Sequence, residues 1–180
     1  VMADEDFAPL EPAPLAGLRV GIVQGMPLER LDSTLTTAFP AAIDRLERAG
    51  LKHCSVRQGD IYDLPLPNDA FDVVILHQVL HFLDDGARAI HEAARVLRPG
   101  GRLLVVDFAP HEQEFLREQF AHRRLGFAPE TVAQWITASG LEPVMHKSLP
   151  PGPEGKIAVS LWLARDARAL MATPPQREVA

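Results

Sequence analysis

The polar residues that close three apolar runs carry most of the chemistry available to this sequence. Gly59-Asp60-Ile61 ends the run that begins near Val56, His77-Gln78 ends FDVVILH, and Asp107-Phe108 ends RLLVVDF. Near-continuous apolar runs are typical of parallel strands covered on both faces. Open α/β sheets bind ligands in the crevice outside the carboxyl ends of such strands. There a carboxylate at 60 can accept from an amino or hydroxyl group, and an imidazole and an amide at 77 and 78 can both donate and accept. Each has a plainer role: Asp60 as the cap of a loop, His77 and Gln78 as polar crevice lining. His77 and His81, four apart, could form a metal pair. A catalytic zinc site needs a third protein ligand, and none is evident, so no metal is expected. His111, Glu112 and Glu114 fall at an expected helix start and read as a solvated face. Cys54 reads as a strand residue, and a single cysteine excludes an internal disulfide and a cysteine-rich zinc site.

The elements that position these residues follow from periodicity. Residues 1–16, rich in Pro, Ala and acid, are expected to be extended or disordered. GLRVGIVQG reads as a short strand between glycines. A helix from Asp32-Ser33 to Gly50 follows, with Leu35, Phe39, Ile43 and Leu46 on one face and Pro40 kinking it or marking a late start. Residues 53–59 read as a strand and 64–69 as a loop. The Phe71–His77 strand leads to a helix capped by Asp84 or Asp85, with Ile90, Ala93, Ala94 and Leu97 facing inward. Pro99-Gly100-Gly101 is expected to stop it, with glycine supplying the positive φ of the cap. Strand 102–108, a helix at 111–124, and a helix from Pro129 to Ser139 come next. Two final strands, 141–148 and 156–164, read as an antiparallel pair. Strands alternating with helices and closed by a hairpin predict a Rossmann-like, doubly wound, mainly parallel α/β sheet with an antiparallel C-terminal strand. The Phe71–His77 strand is too apolar for an exposed edge. Leu18–Val23 is therefore expected to lie parallel beside it. The expected organisation is 1–16 extended, 17–50 a strand–helix segment, 51–166 the α/β domain, and 167–180 a tail.

Composition narrows the function. The 180 residues suffice for one domain with a sizeable core. The formal net charge of -6 and the absence of a basic run argue against nonspecific nucleic-acid binding. No apolar stretch approaches the roughly 20 residues that span a bilayer, and the acidic start VMADEDF does not read as a signal peptide. A cytoplasmic location is expected. The opening Val suggests a fragment or a trimmed chain.

Three segments, QGDIYDLPLP, FDVVILHQVLHFLDD and AARVLRPGGRLLVVDF, resemble class I S-adenosylmethionine-dependent methyltransferases. The likeness covers about residues 46–166 and is nearest the ubiquinone-biosynthesis type and the methyltransferase halves fused to ArsR-type regulators. FLREQFAHRRLGF, before a helix ending in SGL, fits the same subgroup. The resemblance implies that Asp60 and Ile61 hold the adenine of S-adenosylmethionine and that His77, with Gln78, lies beside its methionyl part. It implies that the Arg95–Leu103 turn is structural. Arsenic-methylating members use several cysteines, which the lone Cys54 argues against. The acidic residue followed by G-x-G-x-G that forms the family's cofactor loop is absent from the sequence, so the sheet is expected to be truncated at that end. Residues 8–50 resemble an internal stretch of amidase-signature hydrolases. No Gly- and Ser-rich region with a Ser-Ser-Lys triad accompanies them, so amide hydrolysis has no catalytic basis here. The two resemblances meet near Arg45–Leu51, as in a chimeric chain.

The expected function is a methyltransferase-like domain whose intact family moves a methyl group from S-adenosylmethionine to a small-molecule acceptor. The alternative is a noncatalytic α/β module or chimeric fragment. No nucleic-acid or membrane partner is expected; a second copy could pair along an exposed sheet edge.

Overall fold

The computed structural model describes residues 20–23, 59–151 and 157–168. Its strands are β1 (Val20–Val23), β2 (Phe71–His77), β3 (Leu97–Phe108), β4 (Leu141–Leu149) and β5 (Val159–Asp166), in the sheet order β1-β2-β3-β5-β4. β1 runs parallel to β2, with Val20 opposite Val73 and Val23 opposite Leu76. β2 is parallel to β3, whereas β5 is antiparallel to both β3 and β4. The fold is thus the expected mixed α/β sheet with one reversed strand, and 20–23 lies beside β2 as expected. The expected strand at 53–59 (save Gly59), the helix at 33–50 and most of the 167–180 tail fall outside the described residues.

Helix α1 (Gly86–Val96) carries the crossover from β2 to β3. Asp85 caps it, its carboxylate accepting from Arg88 N at 3.0 Å, which satisfies one of the helix's open N–H groups. Ala89, Ile90, Ala93 and Val96 are buried, the spacing of a stripe turned to a sheet. The helix ends before the expected glycine stop. Leu97, fully buried, is already extended and pairs with Phe71, so β3 starts five residues earlier than expected. The positive φ of Gly100, +76°, bends β3 where its register with β2 shifts, and does not cap the helix.

Helix α2 (Phe115–Phe120) is shorter than the expected 111–124 helix and buries none of its side chains. The chain on either side of it folds back on itself, with His111 N donating to Leu125 O at 3.1 Å. Helix α3 (Pro129–Ala138) starts on proline and buries Val132 and Ile136. Proline suits a first turn, where no N–H partner is needed. The core lies between α1, α3 and the sheet: Val74 and Leu76 of β2, Leu103 and Val105 of β3, and Trp162 and Ala164 of β5. β4 is an outer strand, exposed from Glu142 to His146 and irregular between Pro143 and Met145.

Candidate active site

The loop that follows Asp60 is held from α1. Arg95 donates to Leu64 O at 3.1 Å, Leu66 O at 2.9 Å and the Asn68 side chain at 2.5 Å. The same guanidinium grips Glu92 through two bonds, at 2.8 and 2.6 Å, and Glu92 in turn accepts from Leu64 N at 2.7 Å. The hydrogen bond from Arg95 holds the Glu92 carboxyl below its usual range, although burial pushes the other way. At the head of this loop Asp60 is exposed. Its Oδ1 accepts from Tyr62 N at 2.9 Å, and its carbonyl accepts from Asp63 N at 3.1 Å. Asp60 therefore does cap its own loop. A carboxylate keeps further acceptor positions on its second oxygen. Ile61 is half-buried against the core.

His77 stands exposed at the carboxyl end of β2. Gln78 follows with φ +52°, its N–H donating to Val106 O at 2.8 Å. That positive φ turns the chain sharply away from the strand, into a short 3-10 turn over Leu80–Phe82. His77 and His81 part company at this turn: His77 faces solvent and His81 is buried. Among the described residues no group of three or more His, Cys, Asp or Glu is placed to share a metal ion.

Asp107, at the carboxyl end of β3, is completely buried. Its carboxylate accepts from Leu80 N at 2.9 Å and Phe108 N at 2.8 Å, and lies 2.7 Å from His81 Nδ1. Two backbone donors and an imidazole N–H satisfy an anion that burial alone would not tolerate. The bond fixes the proton of neutral His81 on Nδ1. The His81 ring also packs on Phe82, Phe108 and His122, with centroids 4.1, 4.8 and 4.2 Å away. His122 Nδ1 and His111 Nε2 are buried without a hydrogen-bond partner among the described residues. Burial, then the neighbouring imidazoles, brings His122 down to about 4. Burial followed by His81 also lowers His111, so its side chain is not the solvated group expected from the helix start. No local pattern announces this histidine cluster, because its members lie on three separate segments.

Next to it the 111–128 segment and α3 enclose an open cleft of about 610 Å³. Its walls include His111, Arg117, Arg124, Phe127, Thr131 and Trp135. It lies beyond the carboxyl end of β3, to which Phe127 is tied by its N–H bond to Phe108 O at 3.0 Å.

Residues 18–105 match the family model described as a methyltransferase domain. The chain is 31% identical over 134 residues to the 2-methyl-6-phytyl-1,4-hydroquinone methyltransferase 2 of Oryza sativa subsp. japonica, covering 73% of this chain and 38% of that protein. Across the eight curated relatives compared, it spans between 21% and 48% of their length. The Bacillus subtilis YcgJ structure superposes with a TM-score of 0.58 at 17% identity, over 83% of this chain and 82% of YcgJ. The [4+2]-cyclase SpnF gives 0.60 at 21% identity, over 72% of this chain and 62% of its own. Residues 18–105 are thus similar to a methyltransferase domain, and the chain shares the fold of the YcgJ and SpnF structures. Among the described residues no helix is long and apolar enough to cross a membrane.

Proposed function

We propose, on the methyltransferase-domain match over residues 18–105, that this domain serves methyl transfer from S-adenosylmethionine to a small-molecule acceptor. One observation carries the proposal. β1, β2 and β3 lie side by side and parallel, so their carboxyl ends form the crevice in which such sheets bind ligands. Asp60 and Ile61 would hold the adenine, and His77 and Gln78 would lie beside the methionyl part. Asp60 suits that place, since Tyr62 N engages only its Oδ1. The cofactor supplies an activated methyl on a positive sulfur. The residues of this chain then bind and orient, and alignment alone can lower such a barrier by several kcal/mol.

The sequence after β1, Gln24-Gly25-Met26-Pro27, does not offer the run of glycines that lets backbone N–H groups approach the methionine carboxylate. S-Adenosylmethionine is therefore expected to bind weakly. The same departure favours a second reading, a noncatalytic module that keeps the fold without the chemistry, as fold alone does not fix function.

Calorimetric titration with S-adenosylmethionine and S-adenosylhomocysteine decides between them. Under the first reading both bind, and Asp60→Ala weakens them about 10- to 100-fold, a loss of ~1.5–3 kcal/mol. His111→Ala leaves them unchanged. No heat at millimolar ligand would leave the noncatalytic module. Equal losses from the two substitutions would remove the adenine assignment. A melting shift of several degrees at tens of micromolar ligand (about 2.7 kcal/mol at one hundred times Kd) would overturn the expectation of weak binding.

A further inference from the structure

We infer that the cleft between the 111–128 segment and α3 binds a small carboxylate-bearing molecule with an apolar body, which the proposed methyl transfer would use as acceptor. The acceptor role rests on that functional reading; the binding does not. The place is right for an acceptor, because the segment that forms the cleft leaves the carboxyl end of β3 and is tied back to it at Phe127. The volume, about 610 Å³, is in the range of small-molecule sites.

The lining sets the chemistry. Three guanidinium groups, those of Arg117, Arg123 and Arg124, face one cleft in a chain whose net charge is -6. Two are balanced: Arg123 by Asp84, and Arg117 by Glu114 at 3.2 Å. Arg124 donates to the main-chain carbonyl of Asp84 at 3.1 Å. Among the described residues no carboxylate pairs with it. A guanidinium has five N–H donors in a planar fork that matches a carboxylate, so Arg124 keeps both charge and donors to spare. His111 adds a buried Nε2 without a partner among the described residues, and buried polar atoms are normally satisfied. Phe127 and Trp135, packed edge to face at 5.6 Å, supply the apolar wall. Spare positive charge, an open hydrogen-bonding position and aromatic surface together select an organic anion over a neutral molecule or a bare inorganic ion.

Benzoate, benzamide and inorganic phosphate are the probes, titrated into the whole chain without cofactor and followed by tryptophan fluorescence and calorimetry. Benzoate should bind with a Kd near or below about 1 mM, at least tenfold tighter than benzamide or phosphate. Arg124→Gln should weaken benzoate about tenfold and leave benzamide unchanged, and Arg117→Gln should do less. Arg165→Gln, on the far-side β4–β5 pair with Glu142, should change nothing. Equal affinities for benzoate and benzamide, phosphate binding as tightly as benzoate, no benzoate binding at about 10 mM, or an indifferent Arg124→Gln would each overturn the inference. Failure here with S-adenosylhomocysteine still bound removes the anion site alone. Benzoate bound without S-adenosylhomocysteine removes the methyltransferase reading alone.

Discussion

Replacing Arg95 by methionine should unfasten the loop that follows Asp60. The substitution keeps the aliphatic stem and deletes five hydrogen bonds, two to Glu92 and one each to Leu64 O, Leu66 O and Asn68. Glu92 keeps only the bond from Leu64 N, and its side chain is 9% exposed. Removing one partner of a buried ion pair costs about 3–5 kcal/mol. The Arg95 side chain is 29% exposed, so water relieves part of that loss. A loss of about 2–3 kcal/mol is expected. With a urea slope of about 1–3 kcal/mol/M, the midpoint should fall by ~1–2 M. Arg165→Met breaks a pair with Glu142 that is more than half exposed on both sides, and should cost less than about 1 kcal/mol. The pH dependence has a definite sign. Glu92 is held below the ordinary carboxyl value of 4.5, mainly by Arg95. Its stabilising contribution is thus present above that value and is lost as pH falls below it, through the folded-state pKa. Arg95→Met should remove that acid-side slope. Amide exchange at Leu64 should quicken as well, because the acceptor of its N–H loses the guanidinium that holds it. An Arg95→Met midpoint within error of the Arg165→Met midpoint, with Leu64 exchange unchanged, would refute the clamp.

Three further substitutions test the packing beyond the strands. His122 moves from 6.5 to about 4 on folding. Between those values the unfolded chain binds the extra proton, so stability should fall as pH is lowered across that window, by up to about 3 kcal/mol. His122→Phe should flatten this part of a urea-midpoint profile, and an unaltered slope would show that His122 is not the group responsible. Gly126 has φ +80°, and a Cβ there would lie 2.1 Å from Ala109 O. Gly126→Ala should therefore cost more than ~2 kcal/mol in thermal denaturation. Gly140→Ala, with the same φ but open space around it, should cost about 1–2 kcal/mol. Equal costs would mean that the segment yields around Gly126.

What was legible in the sequence was mostly local. The apolar runs predicted β2, β5 and the placement of 20–23 beside β2. The Asp84-Asp85 pair marked the start of α1, with Asp85 the cap, and proline and glycine bracketed α3. The misses have tertiary causes. Leu97 leaves α1 because its side chain is buried and its backbone pairs with Phe71. The 111–124 stretch forms only six helical residues because His111 and Leu125 pair across it. The site divides the same way. Asp60 and His77 follow apolar runs and could be singled out. The Asp107–His81 bond joins residues 26 apart, and the tilted contact of His122 with His81 joins still more distant ones, with no periodicity to announce either. Arg95 opens the segment expected to be a structural turn but stands in the last turn of α1, and nothing local marked the 64–68 loop as what it holds.

The strand order has a consequence for how the chain reaches its native state during synthesis. β5 is the last of the five described strands to be made, yet it lies between β3 and β4. Until it arrives, β4 has no neighbour to pair with, and β3 presents an open apolar margin. The nascent domain therefore waits with its middle missing, and local pairing cannot complete it. Such delayed, nonlocal closure slows folding and lengthens the time during which an unpaired strand can meet another chain. Arg168, two residues past β5, then joins Asp166, Asp69 and Leu97 O in one cluster. The last strand to arrive is thus fastened at once to the starts of β2 and β3, across a sequence separation of 99 residues.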